Sequence, residues 1–344
     1  MERAENAGGR FRRGGDRLMK RTSGSAPRAA GTPTVGLPEG LMFFEHRQLW
    51  EDFFRRLGCR TVRSGRTTNR ILNRGVELCC NETCLPVKAF AGHAASLLGK
   101  TDFLFVPRYA SVCPCERACP KLCGLPDEVR LSLKDRIRPL EVAVDLGRNP
   151  AKTRESLGRL ARELGRSREE AEDAFSGAVR AGLTAADSPN ASPAPGRRGG
   201  PVVAVLGHPY MIFDELLSMG LIGKLRAAGC RVLTPYDLKR SERRRNAQPF
   251  LGREFFETGL DILGGARIFL GMPELAGMIY LTPFACGVDS LVTEFVERRL
   301  RGGRWVPFLK ITVDEQSGEA GFDTRLEAFL DMLPHAARQR RESV

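Results

Sequence analysis

The sequence predicts an α/β protein made of two Rossmann-like, doubly wound domains with mostly parallel sheets. Short apolar strands alternate with amphipathic helical segments, this alternation restarts in the second half, and a Pro/Gly/Ser-rich linker separates the two series. With 344 residues, of which 42% are hydrophobic and 28% charged, the chain can bury two cores. We expect a disordered basic tail over 1–33, an α/β domain over 34–145, a helical segment and linker over 146–200, and a second α/β domain over 201–344.

The elements follow from apolar spacing and from turn residues. In the first domain they are strands over 34–38, 60–63, 102–107 and 141–145 and helices over 43–57, 69–75 and 85–98, followed after the last strand by charged helix over 152–182. In the second domain they are strands over 201–207, 231–233, 277–281 and 307–311 and helices over 214–228, 250–263, 290–301 and 324–333.

The charge pattern and the apolar content make nucleic-acid-binding and membrane-spanning functions unexpected. The net charge is +13, but residues 1–33 contribute eight basic against three acidic residues, and no aromatic side chains are interleaved with the Arg-rich run at 239–245. That run is expected to be a solvated face, and nucleic acid is not an expected partner. No apolar run reaches the roughly 18–20 residues of a bilayer span, and the N-terminus has no signal-peptide core. A cytoplasmic protein with reduced thiols is expected, and no membrane partner.

The ten cysteines therefore need an explanation other than disulfides. Eight of them lie between Cys59 and Cys123, several in tight groups, and such groups in a reducing compartment favour metal or redox chemistry. Cys59 and Cys230 occupy matching Gly-Cys-Arg turns, and we expect both to be small buried apolar residues.

Three cysteines are the best ligand candidates. Cys119 and Cys286 follow predicted strands, and ligands of open α/β sheets bind outside the carboxyl ends of strands. Cys84 stands just before a helix, where free N–H groups and the helix dipole favour a thiolate. The three would hold an iron–sulfur cluster with one open iron, although their spacing is not that of a ferredoxin.

Two alternatives remain at this point. Zinc could be bound by Cys115, Cys119 and Cys123 together with Cys113 or His93. A nucleophilic enzyme could pair Cys286 with His208 or His93.

Several long motifs carry a family resemblance. They are Cys84-Leu85-Pro86-Val87-Lys88 followed by Gly92-His93, Cys119-Pro120-Lys121, Gly207-His208-Pro209-Tyr210, and Phe284-Ala285-Cys286-Gly287-Val288-Asp289-Ser290. With these motifs the chain resembles the stand-alone form of the acyl-CoA dehydratase activase-related proteins, which are related to the cluster-bearing 2-hydroxyacyl-CoA dehydratase subunits.

The resemblance implies a [4Fe-4S] cluster on three cysteines and low-potential electrons from an ATP-dependent activator. The residues carried over are the ligands Cys84, Cys119 and Cys286, and Lys88, His93, His208 and Tyr210 as groups that orient the cluster. The expected partners are an ATP-dependent activase or a dehydratase-like protein, with a second copy of the chain as a further candidate. The chain has no actin-like ATPase motif of its own, and neither a substrate nor a catalytic residue is implied.

The sequence departs from the family pattern in two places. Ala285 and Val288 replace a glycine and a proline of the third-cysteine motif. The extra cysteines Cys113, Cys115 and Cys123 are alternative ligands and leave room for a larger or second cluster. We therefore expect an iron–sulfur redox protein, with a non-catalytic cluster- or zinc-binding scaffold as the alternative.

Overall fold

All pairings between strands are parallel, as the sequence predicts for an α/β fold. The computed structural model describes residues 32–114, 116–134, 136–137, 139–186, 200–250, 256–301 and 305–342. The predicted tail up to residue 31 and most of the linker lie outside these residues, as does Cys115. Residues from Thr32 onwards form one compact unit, and the predicted domain boundaries stay a prediction.

The first half contains five strands and six helices in the described residues. They are β1 (Thr34–Leu37), α1 (Phe43–Arg56), β2 (Arg60–Arg63), α2 (Asn69–Leu78), α3 (Leu85–Ser96), β3 (Phe103–Leu104), β4 (Arg108–Ser111), α4 (Pro120–Ser132), β5 (Ala143–Asp145), α5 (Pro150–Glu163) and α6 (Arg168–Ala186).

The second half contains four strands and six helices in the same described part. They are β6 (Val202–Leu206), α7 (Pro209–Ile212), α8 (Leu221–Ala227), β7 (Arg231–Leu233), α9 (Arg240–Ala247), α10 (Glu257–Leu270), β8 (Leu275–Pro283), α11 (Gly287–Arg301), β9 (Phe308–Val313) and α12 (Glu319–Glu342).

The strands form three sheets, with the orders β2-β1-β3, β4-β5 and β7-β6-β8-β9. In the four-stranded sheet, β6 and β8 are central and every residue of both is buried, as expected for parallel strands covered by helices on both faces. None of the helices in the described ranges is long and apolar enough to cross a membrane.

The boundaries differ from the prediction where turns interrupt an apolar pattern. The predicted strand over 102–107 is only two residues long, and the chain then enters β4, which pairs with β5 in a separate sheet. The predicted helix over 152–182 is two helices, because Gly165 adopts a φ of +68° between them. The predicted helix over 214–228 is confined to α8, which starts after Gly220 at a φ of +67°. Part of the predicted cysteine loop is α4, which begins at Pro120.

The aromatic core of the first half joins α1 to α6. Trp50 packs against Phe105 with ring centroids 4.6 Å apart and against Phe175 of α6 at 6.0 Å. Phe53 and Phe54 on the same face of α1 are fully buried. The helical segment after β5 is therefore part of the core and not only a connection.

Helices α2 and α3 touch backbone to backbone. A Cβ added at Gly75 would lie 1.8 Å from the Lys88 carbonyl oxygen, and one added at Gly92 would lie 1.9 Å from the Ile71 carbonyl oxygen. Only glycine allows this approach at either position. The contact fixes the position of α3 and hence of the cysteine that precedes it.

Candidate metal centre

Each of the three predicted ligand cysteines is the last residue before a helix. Cys84 precedes α3 and Cys119 precedes α4, with a proline in the first turn of both helices. Cys286 precedes α11, and its carbonyl accepts the Ser290 N–H at 3.1 Å. Helix N-termini offer unpaired N–H groups and the positive end of the helix dipole. All three thiols therefore stand where negative charge is favoured.

Backbone N–H groups of these first turns are directed at the sulfurs. The Asp289 N–H donates to Cys286 Sγ at 3.5 Å. The Val87 N–H lowers the pKa of Cys84, and amides at the start of α4 do the same for Cys119, although burial is the larger effect for both. These donors stabilise thiolates more than thiols.

The three thiols, which come from both halves of the chain, interact with one another. Burial raises the pKa of Cys84 to about 12, with further contributions from Cys286 and Cys119. Burial also raises the pKa of Cys119, and Cys286 adds to that shift. Three half-buried thiolates that interact in this way repel one another, so a positively charged metal core would relieve this repulsion and release protons on binding.

A buried histidine–aspartate pair stands beside Cys286. His208 Nε2 lies 3.7 Å from Cys286 Sγ and 3.1 Å from Asp289 Oδ1, which also accepts a 2.7 Å hydrogen bond from the Tyr280 hydroxyl. The Tyr210 ring stacks on the His208 ring at 4.9 Å. Burial lowers the pKa of His208, but the Asp289 carboxylate outweighs burial and holds this pKa well above its usual range. The arrangement places a protonated imidazole next to the Cys286 sulfur.

The spacing of the donor atoms bears on whether the site suits a single metal ion or a cluster. Within the described ranges, His208, Cys286 and Asp289 are the one group whose ligand atoms all lie within 4.8 Å of one another. The sulfurs of Cys84, Cys119 and Cys286 do not form such a group. A tetrahedral zinc ion, with Zn–S bonds of about 2.3 Å, needs sulfurs roughly 3.8 Å apart. A cluster that attaches each cysteine to a different iron does not require the three sulfurs to lie this close together.

The alternative loop cysteines have other surroundings. Cys113 Sγ accepts a 3.5 Å contact from Arg240, a residue of the second half. Cys123 lies inside α4, where its N–H donates to the Cys119 carbonyl at 3.2 Å. Cys115 is outside the described residues, so the zinc set that includes it stays a prediction. Cys59 and Cys230 are both buried, as expected.

Lys88 contacts the second half of the chain and His93 contacts two residues of the first half, and the prediction that both orient a cluster stays a prediction. Lys88 Nζ is buried and donates to Glu315 at 2.5 Å and to the Asn81 carbonyl at 3.0 Å. His93 is fully buried; its Nδ1 lies 2.8 Å from Ser64 Oγ and its Nε2 lies 2.9 Å from Thr67 Oγ1. The structured part of the chain shows no hydrogen bond from either residue to a cysteine sulfur.

The His93 contacts continue into the second half. The Thr67 hydroxyl donates to Asp214 Oδ2, and Asp214 Oδ1 accepts the Leu216 and Leu217 N–H groups at 3.0 Å each. Burial raises the pKa of Asp214, and these donors partly offset the rise. The sequence gives no local signal for this chain of hydrogen bonds, because Thr67 and Asp214 lie 147 positions apart.

The prediction that the Arg-rich run at 239–245 is a solvated face is wrong for two of its members. Arg243 is only 7% exposed and pairs with Asp261 at 2.9 Å. Arg244 pairs with Glu116 of the first half at 2.9 Å. Buried acidic groups, separated from the run in sequence, pair with these guanidinium groups.

Asp289 and Tyr280 are site residues that sequence reasoning did not single out. Asp289 stands in the quoted motif three residues after Cys286, which is the spacing that directs its N–H at the sulfur. Tyr280 belongs to β8 and is fully buried. Its role was not visible, because an aromatic residue in a buried strand is ordinarily part of the core.

Comparison with known proteins identifies the family. No curated protein matches the chain. The family model of the CoA enzyme activase uncharacterised domain matches residues 34–238, a range that includes Cys84, Cys119 and His208 and ends before Cys286. The match covers more than half of the chain and confirms the predicted resemblance to activase-related proteins. The chain belongs to the family of the CoA enzyme activase uncharacterised domain.

Proposed function

We propose that this protein is an iron–sulfur redox protein that holds a [4Fe-4S]-type cluster on Cys84, Cys119 and Cys286. It would receive low-potential electrons from an ATP-dependent activator. The observation that carries the proposal is that three half-buried cysteines at three helix N-termini, from both halves of the chain, interact with one another. When bound, the cluster would supply one-electron transfer.

The electrostatics of the site support an anionic cluster. Burial raises the pKa of both Cys84 and Cys119, so these thiols stay protonated until a metal displaces the protons. The same N–H donors that face the sulfurs also suit the inorganic sulfides of a cluster.

Residues around Cys286 have distinct roles in this proposal. His208 holds a proton at Nε2 between the Cys286 sulfur and the Asp289 carboxylate. Tyr280 fixes the carboxylate, and the Tyr210 ring covers the imidazole. A protonated donor beside a ligand sulfur raises the reduction potential of a cluster, because it stabilises the added electron.

Anaerobic purification with iron and sulfide analysis, visible absorption and EPR tests the proposal. The expected result is about four irons per chain and a cluster that is lost in Cys286→Ala. Cys230→Ala is the matched control. This thiol is fully buried, and burial alone raises its pKa, with no contribution from the residues of the candidate metal centre. A cluster that survives intact in Cys286→Ala would contradict the ligand assignment.

The alternative is a non-catalytic scaffold that binds zinc or a cluster and docks on a dehydratase or activase. The compact group of His208, Cys286 and Asp289 favours a single ion, although such an ion would have to compete with the His208–Asp289 pair. A colourless protein with stoichiometric zinc would establish this alternative. Reduction by an activase with ATP would instead support the redox role, and sedimentation would show whether the partner is a second copy.

A further inference from the structure

We propose that a groove between α2 and α3 binds a small organic phosphate, at a site separate from the metal centre. The groove has a volume of about 900 Å³. Ser64 and Thr68 form one end, at the carboxyl end of β2, and both helices contribute its walls. The carboxyl ends of parallel strands are where α/β proteins place their ligands.

The groove carries an excess of positive charge. Arg70, Arg74 and Lys100 line it together with one acidic residue, Glu77. Arg74 is neutralised by Glu77 at 2.7 Å. The salt bridges found in the described residues include neither Arg70 nor Lys100, so these two cations are available to an anion. A phosphate monoester, with a charge of about −1.5 to −2 at neutral pH, matches them.

Backbone donors add to this charge. The ten-residue helix α2 begins at the groove, and its N-cap Thr68 accepts the Ile71 N–H at 3.3 Å. In the described part of the chain no acceptor is found for the N–H groups of Asn69 and Arg70. Gly65, at a φ of +83°, turns the chain from β2 into this helix. A strand, a glycine-containing turn and a helix N-terminus form a common cradle for phosphate.

The opposing dipole of α3 does not cancel these donors. The carboxyl end of α3 also faces the groove, but the Ser96 hydroxyl donates to the His93 carbonyl at 2.7 Å. Lys100 follows this helix end, and its backbone N–H donates to the Leu97 carbonyl at 3.1 Å. Part of the negative charge at the helix end is therefore capped, and the Lys100 side chain adds a full positive charge.

The lining indicates a small molecule and not a nucleic acid. Ile71, Gly92 and Ala95 give a low apolar wall that suits the organic part of a phosphate ester. No aromatic side chain lines the groove to stack a base, as single-stranded nucleic acids require. Two unpaired cations are also too few for the many phosphate contacts of a polymer.

Calorimetric titration of the full-length protein with ADP and with pyrophosphate tests the proposal. One site per chain is expected, with binding weakened tenfold or more in Arg70→Ala and in Lys100→Ala. Arg60→Ala is the matched control, because this exposed arginine lies at the amino end of the same strand β2, away from the groove. Its binding constants should equal those of the wild type.

Three results would overturn the proposal: no saturable binding of either probe, equal weakening in Arg60→Ala, or binding of a single-stranded oligoribonucleotide but of neither probe. Iron content, measured on the same samples, separates this site from the metal centre. It should be the same in the groove variants as in the wild type, whatever metal the protein holds.

Discussion

Acidification should destabilise this protein through His93. The side chain is fully buried between Ser64 and Thr67, and burial lowers the pKa of His93 to about 4, from an ordinary value of 6.5. Between these two values the unfolded chain binds a proton that the folded chain does not. The contribution of His93 to stability is therefore complete above pH 6.5 and is lost as the pH falls towards 4.

The size of the effect follows from the shift in pKa. A difference of about 2.5 pH units corresponds to about 3.4 kcal/mol when the titration is complete. At a pH of about 5, where the folded state is still mostly unprotonated, about 2 kcal/mol should already be lost. This is a large fraction of the net stability of an ordinary domain.

Urea unfolding at about pH 7.5 and about pH 5 measures this loss. His93→Gln is the informative variant, because an amide can bond to both hydroxyl groups but does not titrate. The wild type should lose about 2 kcal/mol more than the variant between the two pH values. Titration of the other groups cancels in this difference. Equal pH dependence in the two proteins would refute the assignment of His93 as a buried neutral group, even if the variant is less stable at both pH values.

Further predictions concern backbone geometry and a buried ion pair, all measured by urea unfolding. Gly92→Ala should lower the free energy of unfolding by about 3 kcal/mol, because the added Cβ would lie 1.9 Å from a backbone carbonyl oxygen. Gly223→Ala is the matched control, because Gly223 lies inside α8 with open space around it, and this change should raise the free energy of unfolding by up to about 1 kcal/mol. Ala285→Gly should stabilise by about 1 kcal/mol, because Ala285 adopts a left-handed φ of +63°. Glu315→Gln should cost about 3 kcal/mol or more by leaving the buried Lys88 ammonium unpaired, and Lys88→Met should cost less.

Local sequence signals are sufficient for those features of the candidate metal centre that depend on a single helix or strand end. The proline in the first turn after Cys84 marks a helix start, and the start of a helix determines where the preceding side chain lies. The same signal at Pro120 also suits a turn, so the helix that follows Cys119 is not predicted from it. The carboxyl end of β8 similarly locates Cys286. These rules rest on bonding within a few residues, so the sequence is sufficient for them.

Contacts between distant segments could not be predicted in this way. The Arg-rich run looked solvated because the carboxylates that pair with Arg243 and Arg244 lie far away in sequence or in another element. His93 looked like a candidate ligand because nothing nearby in sequence reveals its partners at Ser64 and Thr67. A polar side chain can be buried only where it has hydrogen-bond partners, and here tertiary packing brings these partners together.

The same tertiary contacts link the proposed groove to the segment that carries His208. Ser64 lines the groove and also contacts His93. From His93 the hydrogen bonds continue to Thr67 and from Thr67 to Asp214. Asp214 follows His208 by six residues, and its carboxylate fixes the turn after α7 by accepting two backbone N–H groups. Buried hydrogen-bond chains are costly when one link is missing, so each link constrains the next. Removal of the Ser64 hydroxyl would therefore leave one ring nitrogen of the buried His93 without its partner and weaken the hydrogen bonds that lead to Asp214.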